Sequence, residues 1–448
     1  MPLVRCSSGA VCRESNGRNY MVTTFNENLF SPEVIQDPYT YFGRMREEDP
    51  VHWNDPYKLW VITKYKDLVW VTRRPEAFSS EVFHRDPLPP YPSIDESDMG
   101  LYEDVRNFFS QWFIQTDRRA VSDHEEIREH GGPDHTDMRK VIHGYFTPKA
   151  MELWRPLVQS AIKQLLDEAE DRGHMDVMRD YATPLPLLVI AAMMGIETYD
   201  RQFIRSLAEK LLFIGRGNAD RMQPLSEGIT ELQDYLRPMV KERLKNPNGD
   251  LLDRMTDAAR MTNAAGKQIM DEEQVVANAI LLLLAGHETT INLICNGTRA
   301  FMTHPDQWEL FKTDPAGKMI RATEECLRYD APVKSITRIA GEDVELGGKT
   351  IQKDERMRWF VTSANRDPEV FDRPDDFDIE RYPNPHVAFG SGIHHCLGAT
   401  LARLEGQEAF KAIAERFPNL NMNANPEDLT YTSSITFRTL ETLPVNLS

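Results

Sequence analysis

The sequence predicts a mainly α-helical protein with a small β region. Two helix starts are marked by a capping residue followed by proline, at Ser31-Pro32 and Thr147-Pro148, with apolar residues at helical spacing after each. A continuous apolar pattern from about residue 271 to 302, closed by a His-Pro pair, predicts one very long helix. No linker rich in glycine, serine or charge divides the chain. We therefore expect a flexible N-terminal leader over residues 1–24 and a single domain over 25–448.

Strand-like residues cluster in two short regions. Val51 to Trp53 and Leu59 to Ile62 flank a turn that contains Pro56, and this pattern predicts a hairpin. The stretch from Val344 to Trp359 also favours strands and contains a Gly-Gly turn. By contrast, residues 80–133 are interrupted by prolines and charges, which predicts a long, partly helical excursion near a binding site.

Composition narrows the class of protein. The formal net charge of −18 argues against general nucleic-acid binding, which requires a basic surface. The N-terminus lacks the apolar core of a secretory signal, and the longest apolar run, AILLLLAG, is too short to span a membrane. An odd number of cysteines, with no CxxC pair or Cys/His cluster, indicates a reducing compartment and excludes a zinc site. We therefore expect a cytoplasmic protein without a membrane anchor.

The most informative segment is FGSGIHHCLG, from Phe389 to Gly398. Glycines on both sides of Cys396 allow the backbone to turn tightly and to approach a flat ligand, and the predicted helix that follows favours a thiolate. An isolated cysteine in such a turn is usually structural, but the full pattern F-x-x-G-x-x-x-C-x-G resembles the haem-binding loop of cytochromes P450. The resemblance implies that Cys396 is the axial ligand of haem b (iron protoporphyrin IX), with Phe389, Gly392 and Gly398 beside it.

The predicted long helix carries the sequence AGHETT at residues 285–290. Gly286 allows a helix face to pass close to a ligand, and the Thr289 hydroxyl can bond to a carbonyl one turn earlier. Dioxygen activation requires such a hydroxyl together with an acid that relays protons, here Glu288. Taken alone, the motif is equally consistent with a buried helix contact. It resembles the oxygen-binding signature of the same family, which implies that Glu288 and Thr289 are catalytic and that Ala285 borders the haem.

Glu325 and Arg328 lie three residues apart on a predicted helix and resemble the E-x-x-R pair of the family, with Arg381 as the arginine that joins them. Exposed pairs of this kind contribute little, so the residues alone would favour a surface contact. The resemblance instead implies a buried structural network beneath the haem, without a chemical role.

Four cationic or ionisable side chains occupy family positions that bind the haem propionates. His135 and Arg139 are four residues apart on one predicted helical face, and Arg338 and His394 lie in the later motifs. Each alone is consistent with a solvated charge. Partly buried carboxylates require such partners, so the resemblance implies propionate binding.

The ordered motifs span residues 31–417 and imply the triangular, mainly helical fold of the family, with haem between the long helix and the cysteine loop. By family position, residues around 83–113 and 211–214 form the roof and entry of the substrate pocket, and a charge-rich insert at 122–132 departs from the family pattern. The expected pocket walls are Leu281, Leu284, Ala285, Thr289, Val333 and Ile336.

The resemblance implies insertion of one oxygen atom from O₂ into an apolar small molecule. A peroxide-driven peroxygenase and a haem-binding carrier or sensor are the alternatives, and the intact Glu288–Thr289 pair speaks against both. Steroids, terpenoids, fatty acids and polyketide-like molecules all remain open as substrates.

The source of electrons is expected to be a separate protein. The sequence has no GxGxxG fingerprint between a strand and a helix, so we expect a ferredoxin or flavodoxin with its reductase. A basic patch over the cysteine loop would attract such an acidic partner. Its expected members are Arg73, Arg74, Arg139, Lys140 and Arg403.

Overall fold

In this computed structural model the described residues are 11–13, 19–21, 25, 28–80, 108, 135–197, 203, 206–207 and 222–447, except 265 and 267. The predicted pocket roof lies outside them apart from Phe108, as does the insert at 122–132. Within the predicted leader, β1 (Val11–Arg13) pairs antiparallel with β2 (Asn19–Met21). The flexibility of residues 1–24 and the single domain over 25–448 stay predictions.

The structure is 56% helical, which confirms the predicted fold class. The predicted helix starts are also confirmed, because the side chains of Ser31 and Thr147 accept hydrogen bonds from the N–H groups of Val34 and Ala150. In chain order the helices are α1 (Pro32–Gln36), α2 (Pro38–Glu48), α3 (Tyr65–Thr72), α4 (His135–His143), α5 (Pro148–Glu152), α6 (Arg155–Glu170), α7 (Pro184–Met193), α8 (Met222–Lys245), α9 (Leu251–Arg260), α10 (Glu272–Thr303), α11 (Pro305–Lys312), α12 (Pro315–Tyr329), α13 (Val361–Ala364) and α14 (Ala399–Arg416).

The longest helix, α10, lies where the apolar pattern predicted it. Asp271 and Gln274 form a capping box, in which each side chain accepts a hydrogen bond from the backbone N–H of the other. Among the described residues, α10 alone is long and apolar enough to cross a membrane, but 78% of its most apolar window is buried inside the protein. Its apolar side chains therefore form the core.

The main sheet contains strands from both regions in which the sequence predicted them. Its five strands lie in the order β3-β4-β10-β7-β5, namely β3 (Val51–Asn54), β4 (Leu59–Ile62), β10 (Arg356–Phe360), β7 (Ser335–Ala340) and β5 (Phe78–Ser79). The predicted hairpin is β3–β4, while β10 runs parallel to β4 and antiparallel to β7. Two smaller sheets consist of β8 (Val344–Leu346) with β9 (Lys349–Ile351), and of β6 (His174–Asp176) with β11 (Asn421–Met422) and β12 (Pro444–Asn446).

Helix α10 runs through the largest core cluster, where α7, α8, α12 and α14 pack against it. One glycine on each helix allows α10 and α14 to lie close together. A Cβ at Gly297 would lie 2.3 Å from the Phe410 ring, and a Cβ at Gly406 would lie 2.9 Å from Leu293. Because the core is closely packed, neither contact has room for a larger residue. The separation of α10 from α14 is therefore fixed.

Candidate active site

The cysteine loop is a tight backbone structure that leads into α14. The N–H of Cys396 donates to the carbonyl of Phe389 at 2.9 Å, and the N–H of Gly390 donates to the carbonyl of Val387 at 2.9 Å. Gly390 and Gly392 have φ values of 70° and 74°, a region in which glycine alone is free of strain. The predicted need for glycine before the cysteine is therefore confirmed.

Gly392 makes a close approach to the protein itself. A Cβ at this position would lie 2.1 Å from the carbonyl oxygen of Thr72, the last residue of α3. Gly392 therefore allows the loop to pass close to the end of α3, and its approach to a flat ligand stays a prediction. This contact fixes the loop against the N-terminal part of the chain.

The Cys396 side chain is exposed to the space in front of the loop. Burial by the protein atoms on its other sides raises the pKa of the thiol, whereas the Gly398 N–H and the charges of Arg139 and Arg403 lower it. The helix α14 begins at Ala399, with Gly398 at the N-cap. Burial has the larger effect, so the pKa of the Cys396 thiol lies above its ordinary value in spite of these neighbours.

On α10, the segment that carries the AGHETT sequence is partly accessible. Ala285 is exposed and Thr289 partly exposed, although nearly all of the surrounding helix is buried. The Thr289 hydroxyl donates to the Ala285 carbonyl at 2.7 Å, as the sequence predicted. Glu288 is only 5% exposed. A Cβ at Gly286 would lie 3.6 Å from Ile190 of α7, which is an ordinary packing distance.

Three of the four predicted propionate partners come together around the loop. The rings of His135 and His394 have centroids 4.3 Å apart, and Arg139 donates to the carbonyl of His395 at 2.7 Å. Arg338 comes from β7, where its guanidinium lies 5.7 Å from the Trp359 ring. Burial lowers the pKa of Arg139, and the charge of the Cys396 thiolate raises it.

These features fit a planar, doubly anionic ligand. Cys396 offers a thiol, Ala285 is a small exposed residue on a buried helix, and His135, Arg139 and His394 lie together at the cysteine loop. A flat macrocycle with two carboxylates would be held by such a thiolate, and its carboxylates would pair with such donors.

The predicted E-x-x-R network is present and fully buried. Arg328 donates two hydrogen bonds to Glu325, each at 2.8 Å, and both side chains are 0% exposed. Arg381 donates two more at 3.2 Å, and the Asp378 N–H and the Asn384 amide complete the carboxylate. Since every oxygen and both cations are satisfied, the network is structural.

The predicted basic patch is only partly available to a partner. Arg73 and Arg74 directly follow α3, whose end contacts the cysteine loop, and both are exposed. Lys140 is exposed but lies 3.5 Å from the Asp137 carboxylate. The Arg403 side chain is 33% exposed and pairs with a carboxylate of α12.

Two residues near the site were missed from the sequence. Phe437 forms a β-bridge with Val333 and so lies beside a predicted pocket wall, but the two are too far apart in sequence for any local signal. Glu405 of α14 is buried against Thr290 of α10. Helical periodicity alone does not distinguish such a glutamate from an exposed one.

Comparisons with known proteins agree with this geometry. The sequence model described as "Cytochrome P450" matches residues 320–442. The "Polyketide biosynthesis cytochrome P450 PksS" of Bacillus subtilis is 34% identical over 94% of this chain and 99% of its own, and the "6-deoxyerythronolide B hydroxylase" of Saccharopolyspora erythraea is 33% identical over 94% and 98%. The solved structure of P450BioI in complex with an acyl carrier protein ligated to hexadec-9Z-enoic acid has a TM-score of 0.78 and 29% identity, over 93% of this chain and 99% of that one.

Proposed function

The chain belongs to the cytochrome P450 family and is a haem-thiolate monooxygenase, and on this premise we propose that Cys396 is the axial ligand of haem b. The observation that carries the assignment is the exposed Cys396 in its glycine turn, with His135, Arg139 and His394 gathered at the same loop. When bound, the haem supplies dioxygen activation and transfer of one oxygen atom to a C–H or C=C bond.

The residues at the rim would hold the cofactor. We propose that His135, Arg139, Arg338 and His394 pair with the two propionates, where charge-assisted hydrogen bonds are strongest. Phe389, Gly392 and Gly398 shape the loop on the thiolate side, and Ala285 borders the opposite face. The Gly398 N–H, which favours the ionised sulfur, would stabilise the ligand in its thiolate form.

Thr289 and Glu288 are proposed to manage protons. Because the Thr289 hydroxyl directs its hydrogen to the Ala285 carbonyl, its oxygen lone pairs remain free to accept a hydrogen bond from a group in the opening. Glu288 is the adjacent acid and would deliver the proton, directly or through one water.

Replacement of Cys396 by serine tests the ligand. We expect the reduced, CO-bound protein to show the absorption typical of a thiolate-ligated haem, and Cys396→Ser to lose it. Cys295→Ser and Cys326→Ser are matched controls, since both thiols are buried elsewhere in the core. A thiolate spectrum that survives in Cys396→Ser but disappears in either control contradicts the assignment.

Coupling of reducing equivalents to product tests the proton relay. Thr289→Ala and Glu288→Gln should still bind haem and substrate, but product per NAD(P)H should fall, because a proton-transfer residue contributes on the order of 10²–10⁴-fold. Thr290→Ala is the control, since Thr290 is buried on the side of α10 that faces Glu405. Equal coupling in all variants would remove both residues from the mechanism.

The proposed substrate is an apolar small molecule. Two relatives are named for polyketide biosynthesis or for hydroxylation of 6-deoxyerythronolide B, and one neighbour was solved with a fatty acid on its carrier protein. We therefore place polyketide-like and fatty acyl compounds first in a screen for ligands that shift the haem Soret band. Each is offered free and tethered to an acyl carrier protein.

The proposed setting is the cytoplasm, with electrons from a separate ferredoxin or flavodoxin and its reductase. Soluble relatives support this setting, and exposed Arg73 and Arg74 would attract an acidic partner. Product formation with NADH and a reductase system, compared with peroxide alone, separates the monooxygenase from a peroxygenase, and no product under either condition indicates a carrier.

A further inference from the structure

Behind the cysteine loop, one acidic, one aromatic and two basic side chains form a compact group. Arg403 of α14 donates to Glu324 of α12 through Nε at 2.7 Å and Nη2 at 2.9 Å, which is a bidentate ion pair. His386 lies 3.1 Å from the same carboxylate through Nε2, and its side chain is only 3% exposed. Arg403 also lies over the Phe389 ring, 4.4 Å from the centroid.

The protonation states of this group follow from its contacts. His386 Nδ1 accepts a hydrogen bond from the Ala388 N–H at 3.3 Å, so its proton is on Nε2 and is donated to Glu324. Although burial opposes it, the hydrogen bonds from His386 and Arg403 lower the pKa of Glu324 to about 2. Within this group Glu324 is therefore the anion and Arg403 the cation, with His386 hydrogen-bonded between Glu324 and the Ala388 N–H.

This arrangement places Arg403 against the cysteine loop. Arg403 faces the ring of Phe389, whose carbonyl accepts the Cys396 N–H, and Glu324 pairs with the guanidinium. Attraction of an acidic partner would need only the charge of Arg403. The bidentate contact with Glu324 and the stacking on Phe389 therefore indicate an additional role for this side chain.

We propose that Glu324 and Arg403, oriented by His386, form a positioning network that sets the electrostatic potential at the Cys396 sulfur and thereby the reduction potential of the bound iron. This inference rests on the proposed haem ligation by Cys396. A cation near the iron stabilises the reduced form, and a carboxylate beside that cation limits the effect. Arg403 therefore raises the potential, and Glu324 lowers it.

The test is a mediator titration of the ferric/ferrous couple, which needs no protein partner and is thus insensitive to docking. Arg403→Gln should shift the equilibrium toward the oxidised form by roughly threefold to tenfold, and Glu324→Gln should shift it in the opposite direction by a similar factor. A tenfold shift corresponds to about 59 mV for a one-electron couple. Arg403→Lys keeps the charge and should restore most of the wild-type potential despite loss of the bidentate contact.

Arg416→Gln is the matched control, because it removes the same charge from the other end of the same helix, where Arg416 pairs with Asp167. Its potential should equal that of the wild type. Shifts in the same direction for Arg403→Gln and Glu324→Gln, or no shift in either, would overturn the proposal and leave a purely structural contact. If Arg403→Gln does not retain haem, Glu324→Gln decides alone, since a fall or no change contradicts the proposed sign.

The reduced CO spectrum is recorded first for every variant. A wild-type protein without the thiolate band would overturn both the ligand assignment and this inference. A normal band with unchanged potentials would overturn only the network.

Discussion

Two glutamates on neighbouring helices have the same side chain and the same burial but opposite ionisation. Glu325 of α12 is 0% exposed and Glu405 of α14 is 1% exposed. Glu325 accepts hydrogen bonds from Arg328, Arg381 and two further donors, so it is an anion among cations. Glu405 has no cation beside it among the described residues, and burial raises its pKa to about 8, an effect that the Thr290 hydroxyl only partly offsets.

The contrast shows that partners decide the charge of a buried carboxyl group. Neither carboxyl oxygen of Glu405 forms a hydrogen bond of good geometry with a described residue, and the group is neutral at pH 7. Glu325 has all its oxygens engaged and joins α12 to the irregular segment that leads to the cysteine loop. One glutamate therefore stabilises the site as an ion, whereas the other is tolerated as an acid.

The largest expected effect is that of Glu325→Gln. Removal of the only carboxylate between two guanidiniums leaves two buried cations without an anion, which should cost about 3–5 kcal/mol of the free energy of unfolding. Urea unfolding of the haem-loaded protein at pH 7 measures it. Glu380→Gln, at an exposed glutamate paired with Lys318, is the control and should be indistinguishable from wild type.

The same substitution at Glu405 should act in the opposite direction. The carboxyl titrates near 4.5 in the unfolded chain and near 8 in the folded protein, so the stability of the wild type falls as the pH rises between these values. Glutamine does not titrate. Glu405→Gln should therefore be more stable than wild type by roughly 4 kcal/mol at pH 8, with almost none of this gain at pH 4.5. A gain independent of pH would show that Glu405 does not change protonation on unfolding.

A conservative change tests the geometry around Glu325. Arg381 donates to the carboxylate and to three backbone carbonyls, of Asp372, Arg373 and Asp376. Lysine keeps the charge but cannot make these contacts together, so Arg381→Lys should lower the free energy of unfolding by about 2 kcal/mol. Stability equal to wild type in urea unfolding would mean that charge alone matters here.

The smallest effect is expected at the edge of the network. Asn384 donates one hydrogen bond to Glu325 at 3.1 Å. Asn384→Ala should reduce the free energy of unfolding by about 1 kcal/mol. The double variant with Glu325→Gln should show less than the sum of the two losses, because the residues share one interaction. Additive losses would indicate that Asn384 acts independently of the carboxylate.

The parts of this fold that could be predicted are those determined by residues close in sequence. The capping box of Asp271 and Gln274 and the three-residue spacing of Glu325 and Arg328 are local, and both are confirmed. The adjacent residue Glu324 shows the limit. It points about 100° away around the helix from Glu325, toward Arg403, and only the packing of α12 against α14 determines that partner.

The residues of the candidate site also fall into two groups, those that a local motif identifies and those whose surroundings depend on packing between helices. The motifs predicted Cys396 and Thr289, and the structure leaves the first exposed and the second partly exposed. The environment of Gly286 and the isolation of Glu405 depend on side chains of other helices, which no periodicity in the sequence identifies.

The contact between Gly392 and Thr72 has a consequence for the order of folding. The two residues lie near opposite ends of the chain, yet the cysteine loop has its shape only when the end of α3 is in place. Contacts between segments so distant in sequence form late, since the entropy of closing the intervening chain must be overcome first. We therefore expect the thiolate side of the haem site to be among the last parts of the protein to form. Haem capture during synthesis must then wait until the C-terminal loop has met a helix made near the beginning.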